Sequence, residues 1–296
     1  MGARRVAAEE RIMMGAAIGI ICKTPHPGRS KTRLVPILGA RGAAELAAAF
    51  LRDIATAIEM VPAAVGRRGY AVYAPQGSEA DLRPLLPADF GLLCRRDATL
   101  GIVLLSATEH FLAQGHDCVL LVNADSPTLP PLLLASALAA LRAPGDRAVI
   151  GPATDGGYYL LGLKHPHARL FADIPWSTPH VMGITLERAR DIGLAVALLP
   201  PWYDVDDARS LAILIDEIDG RPLPFDTSGL MGGPAPATRA LLARLRLQHL
   251  HQWTQVPRAA PHPDPLPVRE DERGEGEPRC SLSPSRFSAR TGRGLG

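Results

Sequence analysis

Seven short apolar runs alternate with helical stretches between residues 16 and 218, and this alternation constrains the fold more than any other feature. The first run, Ala16-Ala-Ile-Gly-Ile-Ile-Cys22, is continuously apolar and ends in a proline-rich loop. Such a run marks a strand buried on both faces, as in a parallel sheet. Tyr70 to Pro75, Phe90 to Cys94, Cys118 to Asp125, Ala148 to Ala153, Tyr158 to Leu163 and Leu194 to Pro200 also read as strands. From Gly42 onward the period changes. Leu46, Phe50, Ile54 and Ile58 recur every four residues among Glu45, Arg52, Asp53 and Glu59, which predicts an amphipathic helix.

Further helices are expected over Leu100 to Gln114, Pro131 to Arg142, Thr178 to Asp191 and Asp206 to Ile218. Ser177 or Thr178 would cap the third of these, with Pro179 in its first turn. Strands alternating with helices predict an α/β fold, an α/β/α sandwich around a mostly parallel central sheet. The organisation expected is a leader over 1–14, one domain over 15–220, a loop and basic amphipathic helix over 221–256, and a tail over 257–296. The tail is rich in Pro, Gly, Ser and charge. With little apolar surface to offset its ordering entropy, it is expected to be disordered.

Composition narrows the function classes. Lys and Arg total 32 against 30 for Asp and Glu, and aromatics are 5% of the 296 residues. Neither a broad basic footprint nor a stacking platform for nucleic acid is present, so any anion site must be local. Cys22, Cys94, Cys118 and Cys280 form no C-x-x-C pair, which points to reduced thiols. The early apolar run ending at Cys22 lacks an A-x-A-like cleavage site and is too short to span a membrane. A cytoplasmic protein without a membrane span is the expectation.

In an open α/β sheet, ligands bind beyond the carboxyl ends of the strands. The loop after the first strand, KTPHPGRSKTRL, carries Lys23, Arg29, Lys31 and Arg33 within eleven residues. It is not a phosphate-binding P-loop, because Ser30 stands where that motif places the glycine before its lysine. Clustered cations beside Gly28 nevertheless suit a pyrophosphate. NADSPTLPP follows the fourth strand and delivers Asn123 and Asp125. Asp125 could hold a divalent ion such as Mg²⁺, or merely cap the next helix. In GPATDGGYYLLGL, Asp155 precedes Gly156, Gly157 and Tyr158. Paired glycines allow close approach to a sugar ring, although D-G-G is also an ordinary hairpin turn. WYDVDDARSL offers Asp204, Asp206 and Asp207, of which at least one should cap a helix.

Taken in order, KTPHPGRSKTRL, NADSPTLP, GPATDGGYYLLGL, IPWST and YDVDD resemble a bacterial family of glycosyltransferases of the GT-A, Rossmann-like fold. This is DUF2064, which includes radical-SAM/selenodomain-associated and arsenosugar-biosynthesis-type transferases. The resemblance covers roughly residues 16–218. It implies a nucleotide-diphospho-sugar transferase domain in which Lys23, Arg29, Lys31 and Arg33 form the nucleotide loop. It further implies that Asp125, with Asp204 and Asp206, holds a divalent cation, Mg²⁺ or Mn²⁺. Asp155 matches the family's D-G-G-Y element and becomes the candidate catalytic base or sugar-orienting group, with Gly156, Gly157 and Tyr158 contacting sugar or acceptor. Two departures stand out. Asn123 replaces the first aspartate of a strict D-x-D, and Asp97 and Gly101 replace a D-L-G-x-R pattern with no following arginine.

The resemblance implies transfer of a sugar from a nucleotide-diphospho-sugar to a small-molecule or glycan acceptor. SKTRL also resembles the loop of guanylyltransferases acting on phospholactate-type substrates, which leaves a nucleotidyltransferase as the alternative. A non-catalytic nucleotide-sugar-binding domain is the third reading.

Overall fold

The computed structural model describes residues 15–95 and 99–248. The expected leader, the expected tail, Asp97, Cys280 and the end of the last predicted helix lie outside the described residues. Seven strands form one sheet: β1 (Ala16–Lys23), β2 (Arg67–Ala74), β3 (Gly91–Cys94), β4 (Val119–Asn123), β5 (Arg147–Pro152), β6 (Tyr158–Leu163) and β7 (Ala195–Leu198). Their order is β3-β2-β1-β4-β6-β5-β7. All neighbours run parallel except β6, which is antiparallel to both β4 and β5. The predicted α/β sandwich with a mostly parallel sheet is therefore what the chain forms.

Seven α-helices accompany the sheet among the described residues: α1 (Val35–Glu59), α2 (Glu79–Leu82), α3 (Leu100–Ala113), α4 (Pro131–Arg142), α5 (Val181–Asp191), α6 (Ala208–Ile218) and α7 (Pro236–Gln248). The strand period of two sorts β1 between two cores. Ala16, Ile18, Ile20 and Cys22 pack on the face that carries residues of α1, α4, α6 and α7, whereas Ala17 faces the cluster built with α3 and α5. Leu46, Phe50, Ile54 and Ile58 are all buried, so the apolar stripe read from the sequence is the core face of α1. By length and composition the stretch Thr32–Glu59 could also cross a membrane. Here its stripe packs on the sheet.

Two helix starts differ markedly from the sequence reading. α1 begins at Val35, before Gly42, and accommodates a break at Gly39, whose φ of 69° is non-helical. Glycine bears that conformation without steric cost. α5 begins at Val181, not Thr178, and His180 precedes it with no side-chain cap. Ser177 has φ 65°, outside the helical region, and Thr178 Oγ1 donates to the Pro175 carbonyl instead of capping the helix.

The last helix is tied to the domain by a buried carboxylate. Asp53 on α1 accepts the backbone N–H groups of Ala237 and Thr238 at the start of α7, both at 2.8 Å. These are donors that the helix itself leaves unpaired.

Candidate active site

The carboxyl ends of β1, β3, β4 and β5 open into a cavity of about 650 Å³. The predicted residues Lys23, Arg29, Lys31, Arg33, Asp125, Asp155, Gly157, Tyr158, Asp204 and Asp206 all line it. Residues from loops nearly two hundred positions apart therefore share one space. Gly156 is absent from the lining: it packs backward, where a Cβ would meet the Pro179 backbone.

The basic loop divides into two roles. Lys23, Arg29 and Arg33 are exposed. Lys31 is not: its side chain is 6% exposed, and its Nζ lies 2.6 Å from Asp125 Oδ1 and 2.8 Å from Asp206 Oδ1. It also donates to the Val205 carbonyl at 2.7 Å. Burial pulls the Lys31 ammonium down, but the two carboxylates outweigh it and the net direction is up. Lys31 takes a left-handed conformation, with φ 46°, at the turn that feeds the helical segment after the loop.

Asp125 caps no helix. α4 starts at Pro131 behind Pro130, with no side-chain cap, and the Asp125 carbonyl instead accepts the Val205 N–H at 2.9 Å. Asn123 folds back, its Oδ1 accepting the Asp125 N–H at 3.3 Å. Asp207 caps α6 in a reciprocal box with Ser210, as expected for one aspartate of that trio. This leaves Asp204 and Asp206 turned to the cavity.

Asp155 sits in the hairpin between β5 and β6, as the hairpin reading expects, and it also lines the cavity. Its Oδ1 accepts the Gly157 N–H at 2.8 Å, and the residue is exposed. The chain bearing Asp204 runs beside this hairpin, with Trp202 bridged to Ala153 and the Thr154 N–H bonded to the Trp202 carbonyl. That adjacency has an electrostatic consequence. Burial, then Asp155, Asp206 and Asp125, push the Asp204 carboxyl up to about 7.

Behind the carboxylates, the Tyr203 hydroxyl donates to Glu217 and accepts from Thr128 Oγ1 at 3.3 Å. Thr128 follows Asp125 and Tyr203 precedes Asp204, so this buried group pins the two acidic loops to α6. Tyr158 presents its ring to the cavity while its hydroxyl is buried, which limits it to an apolar contact there.

Two lining residues were missed as site residues in the sequence. Arg95, directly after β3, lines the cavity with its Nε buried and lacking a hydrogen-bond partner. Its position at a strand's carboxyl end was the available signal. Trp176, inside the quoted motif IPWST, forms part of the wall with Ser177, Thr178 and Pro179.

The model of a family described as an uncharacterised protein conserved in bacteria, DUF2064, matches residues 45–178. No curated protein matches the sequence. Among solved structures, a protein from Desulfovibrio desulfuricans G20, provisionally named a nucleotide-diphospho-sugar transferase, is 29% identical with a TM-score of 0.65. That match covers 80% of this chain and 97% of the other. A CMP:2-keto-3-deoxy-manno-octonic acid synthetase complexed with CTP is 12% identical with a TM-score of 0.48, covering 70% of this chain and 99% of the other. Glucosyl-3-phosphoglycerate synthase from Mycobacterium tuberculosis, solved with Mn²⁺, UDP and glucosyl-3-phosphoglycerate, is 10% identical with a TM-score of 0.42, covering 71% and 81%. Residues 45–178 thus match the DUF2064 family model, and the α/β sandwich has the Rossmann-like fold of the Desulfovibrio protein.

Proposed function

We propose that the protein is a metal-assisted glycosyltransferase that moves a sugar from a nucleotide-diphospho-sugar to a small-molecule or glycan acceptor. The observation that carries this reading is one cavity lined by both exposed cations and four carboxylates. The similarity to the Desulfovibrio protein supports it.

Lys23, Arg29 and Arg33 would meet the diphosphate with side-chain charge. Charge develops on the departing nucleoside diphosphate, so stabilisation there lowers the barrier most. Among the described residues no three acidic, histidine or cysteine side chains stand at metal-binding spacing. The donor set nevertheless suits a hard cation: four carboxylates line the cavity, Lys31 bonds two of them, and burial, then the neighbouring Asp155, Asp206 and Asp125, raise Asp204. Asp125, Asp204 and Asp206 would hold Mg²⁺ or Mn²⁺, which supplies charge neutralisation to the diphosphate when bound. Lys31 keeps Asp125 and Asp206 together. Asp155, exposed at the hairpin, would orient sugar hydroxyls or take the acceptor's proton.

The three exposed cations would equally meet a triphosphate, which favours a nucleotidyltransferase as the second reading. Calorimetric titration of UDP and GDP with and without Mg²⁺ or Mn²⁺ tests binding. Following product from UDP-glucose and GDP-mannose, and from GTP and CTP with phospholactate, then tests turnover. Diphosphate release from a sugar nucleotide supports the glycosyltransferase. Pyrophosphate release from an NTP replaces it with the nucleotidyltransferase, and metal-dependent binding without either product leaves a binding domain. Asp125→Ala should remove the metal dependence of nucleotide binding; unchanged dependence would sink the metal assignment.

A further inference from the structure

Part of the cavity wall is made by Trp176 to Pro179, between the 3-10 turn at Ala168–Phe171 and α5. Three separate constraints fix this segment. Gly101, in the first turn of α3, leaves the seat for the indole: a Cβ there would lie 2.8 Å from Trp176 Cζ2. Gly156 leaves the seat for Pro179, whose Cα would lie 2.7 Å from a Cβ at that position, and the Gly156 carbonyl accepts the Met182 N–H at 2.9 Å. Ser177 is held at a φ of 65° between them. A non-glycine residue in that region is uncommon and persists where the surroundings over-determine it. The loop is therefore a built wall, locked to the α3 end and to the hairpin that carries Asp155.

Trp176 is half-buried, and its ring meets Tyr158 edge to face at 6.4 Å and 84°. With the Tyr158 hydroxyl buried, the two rings give a largely apolar surface to the cavity that the exposed carboxylate of Asp155 also lines. A sugar ring has complementary surfaces, an apolar C–H face and an edge of hydroxyl donors. The aromatic surface also stands at a suitable reach from the cations. In the sheet, β6 is two strand spacings from β1, roughly 10 Å, so a ring linked to phosphates at the β1 loop extends toward it.

Resting on the glycosyltransferase reading, we propose that Trp176 is the platform on which the donor's transferred sugar packs, with Gly101 and Gly156 positioning the wall that carries it. Asp155 accepts hydroxyl hydrogen bonds from the edge of the same ring. The departure seen at Asp97 to Gly101 thus keeps a glycine where the indole needs it.

The test compares UDP with UDP-glucose and GDP with GDP-mannose on the full chain, reading calorimetric affinity and the part of the indole fluorescence that Trp176→Phe removes. At least one sugar nucleotide should bind about tenfold more tightly than its diphosphate, the increment expected for burying part of an aromatic face. It should also perturb the Trp176 fluorescence, which the bare diphosphate leaves unchanged. Trp176→Ala should erase that preference while keeping diphosphate affinity, which also shows that the variant is folded. Gly101→Ala, which keeps the indole and takes its seat, should weaken the preference as well. If wild type binds diphosphates and sugar nucleotides alike, or Trp176→Ala retains the preference, the platform is wrong while nucleotide binding stands. If wild type binds no diphosphate, the glycosyltransferase reading itself falls and the platform falls with it.

Discussion

Lys31 Nζ stands 2.6 Å from Asp125 Oδ1, joining the loop after β1 to the loop after β4 in the lining of the cavity. The same ammonium reaches Asp206, so one buried cation organises two acidic loops. Replacing it with a neutral side chain of similar length leaves both carboxylates without their partner. Because these are 41% and 46% exposed, water recovers part of the loss. Lys31→Met is expected to cost about 1–3 kcal/mol in chemical denaturation. Millimolar Mg²⁺ or Mn²⁺ should restore part of this, and restore more than it adds to wild type.

Tyr203 holds the Asp204 segment from below through Glu217 and Thr128. Tyr203→Phe keeps the ring in the core and removes the hydroxyl whose hydrogen bond the half-buried Glu217 accepts. Stability should fall by about 1–3 kcal/mol, the cost of stranding a buried polar group. Urea denaturation of the variant checks this, and Tyr203→Phe with Glu217→Leu should recover part of the loss, since no stranded carboxylate then remains.

Asp53 ties α7 to α1 by accepting two backbone N–H groups. Asp53→Ala removes both acceptors and should speed amide exchange at Ala237 and Thr238 selectively, with a stability loss of about 1–2 kcal/mol. Asp53→Asn, which can accept through one oxygen only, should fall between. Equal exchange in all three proteins would show that packing alone holds the helix.

His116 supplies a pH dependence remote from the cavity. It is buried, with Nδ1 2.9 Å from the Gly15 carbonyl and Nε2 2.8 Å from the Tyr70 hydroxyl. The neutral ring satisfies both by donating from Nδ1 and accepting at Nε2. Burial pulls its pKa below the ordinary 6.5. The folded state therefore binds its proton less readily than the unfolded chain, and stability falls as pH drops through about 6.5 toward the lower folded value. Urea midpoints between pH 7.5 and 5 should decline more steeply in wild type than in His116→Gln.

Much of the architecture was legible because strand and helix periods are local properties. The apolar runs at 16–22 and 158–163 and the four-residue repeat from Leu46 to Ile58 need no partner to be read. Loops following strands inherit a position at the sheet's carboxyl edge, which is why the acidic and basic loops could be assigned to one site. Boundaries were weaker. A helix start depends on individual backbone angles, and Ser177 adopts one that its residue type does not favour.

The sequence by itself determined the alternating elements, the two-sided burial of the first strand and the set of charged loops, since each follows from side-chain spacing along a few residues. Only the tertiary structure decided that β6 inserts antiparallel between β4 and β5, that Lys31 turns inward to Asp125 and Asp206, and that Trp176 rests on Gly101. Those outcomes depend on pairings between residues up to 175 positions apart. Period and composition say which face a side chain takes, whereas the partner it meets there is fixed only when distant strands and helices pack around it.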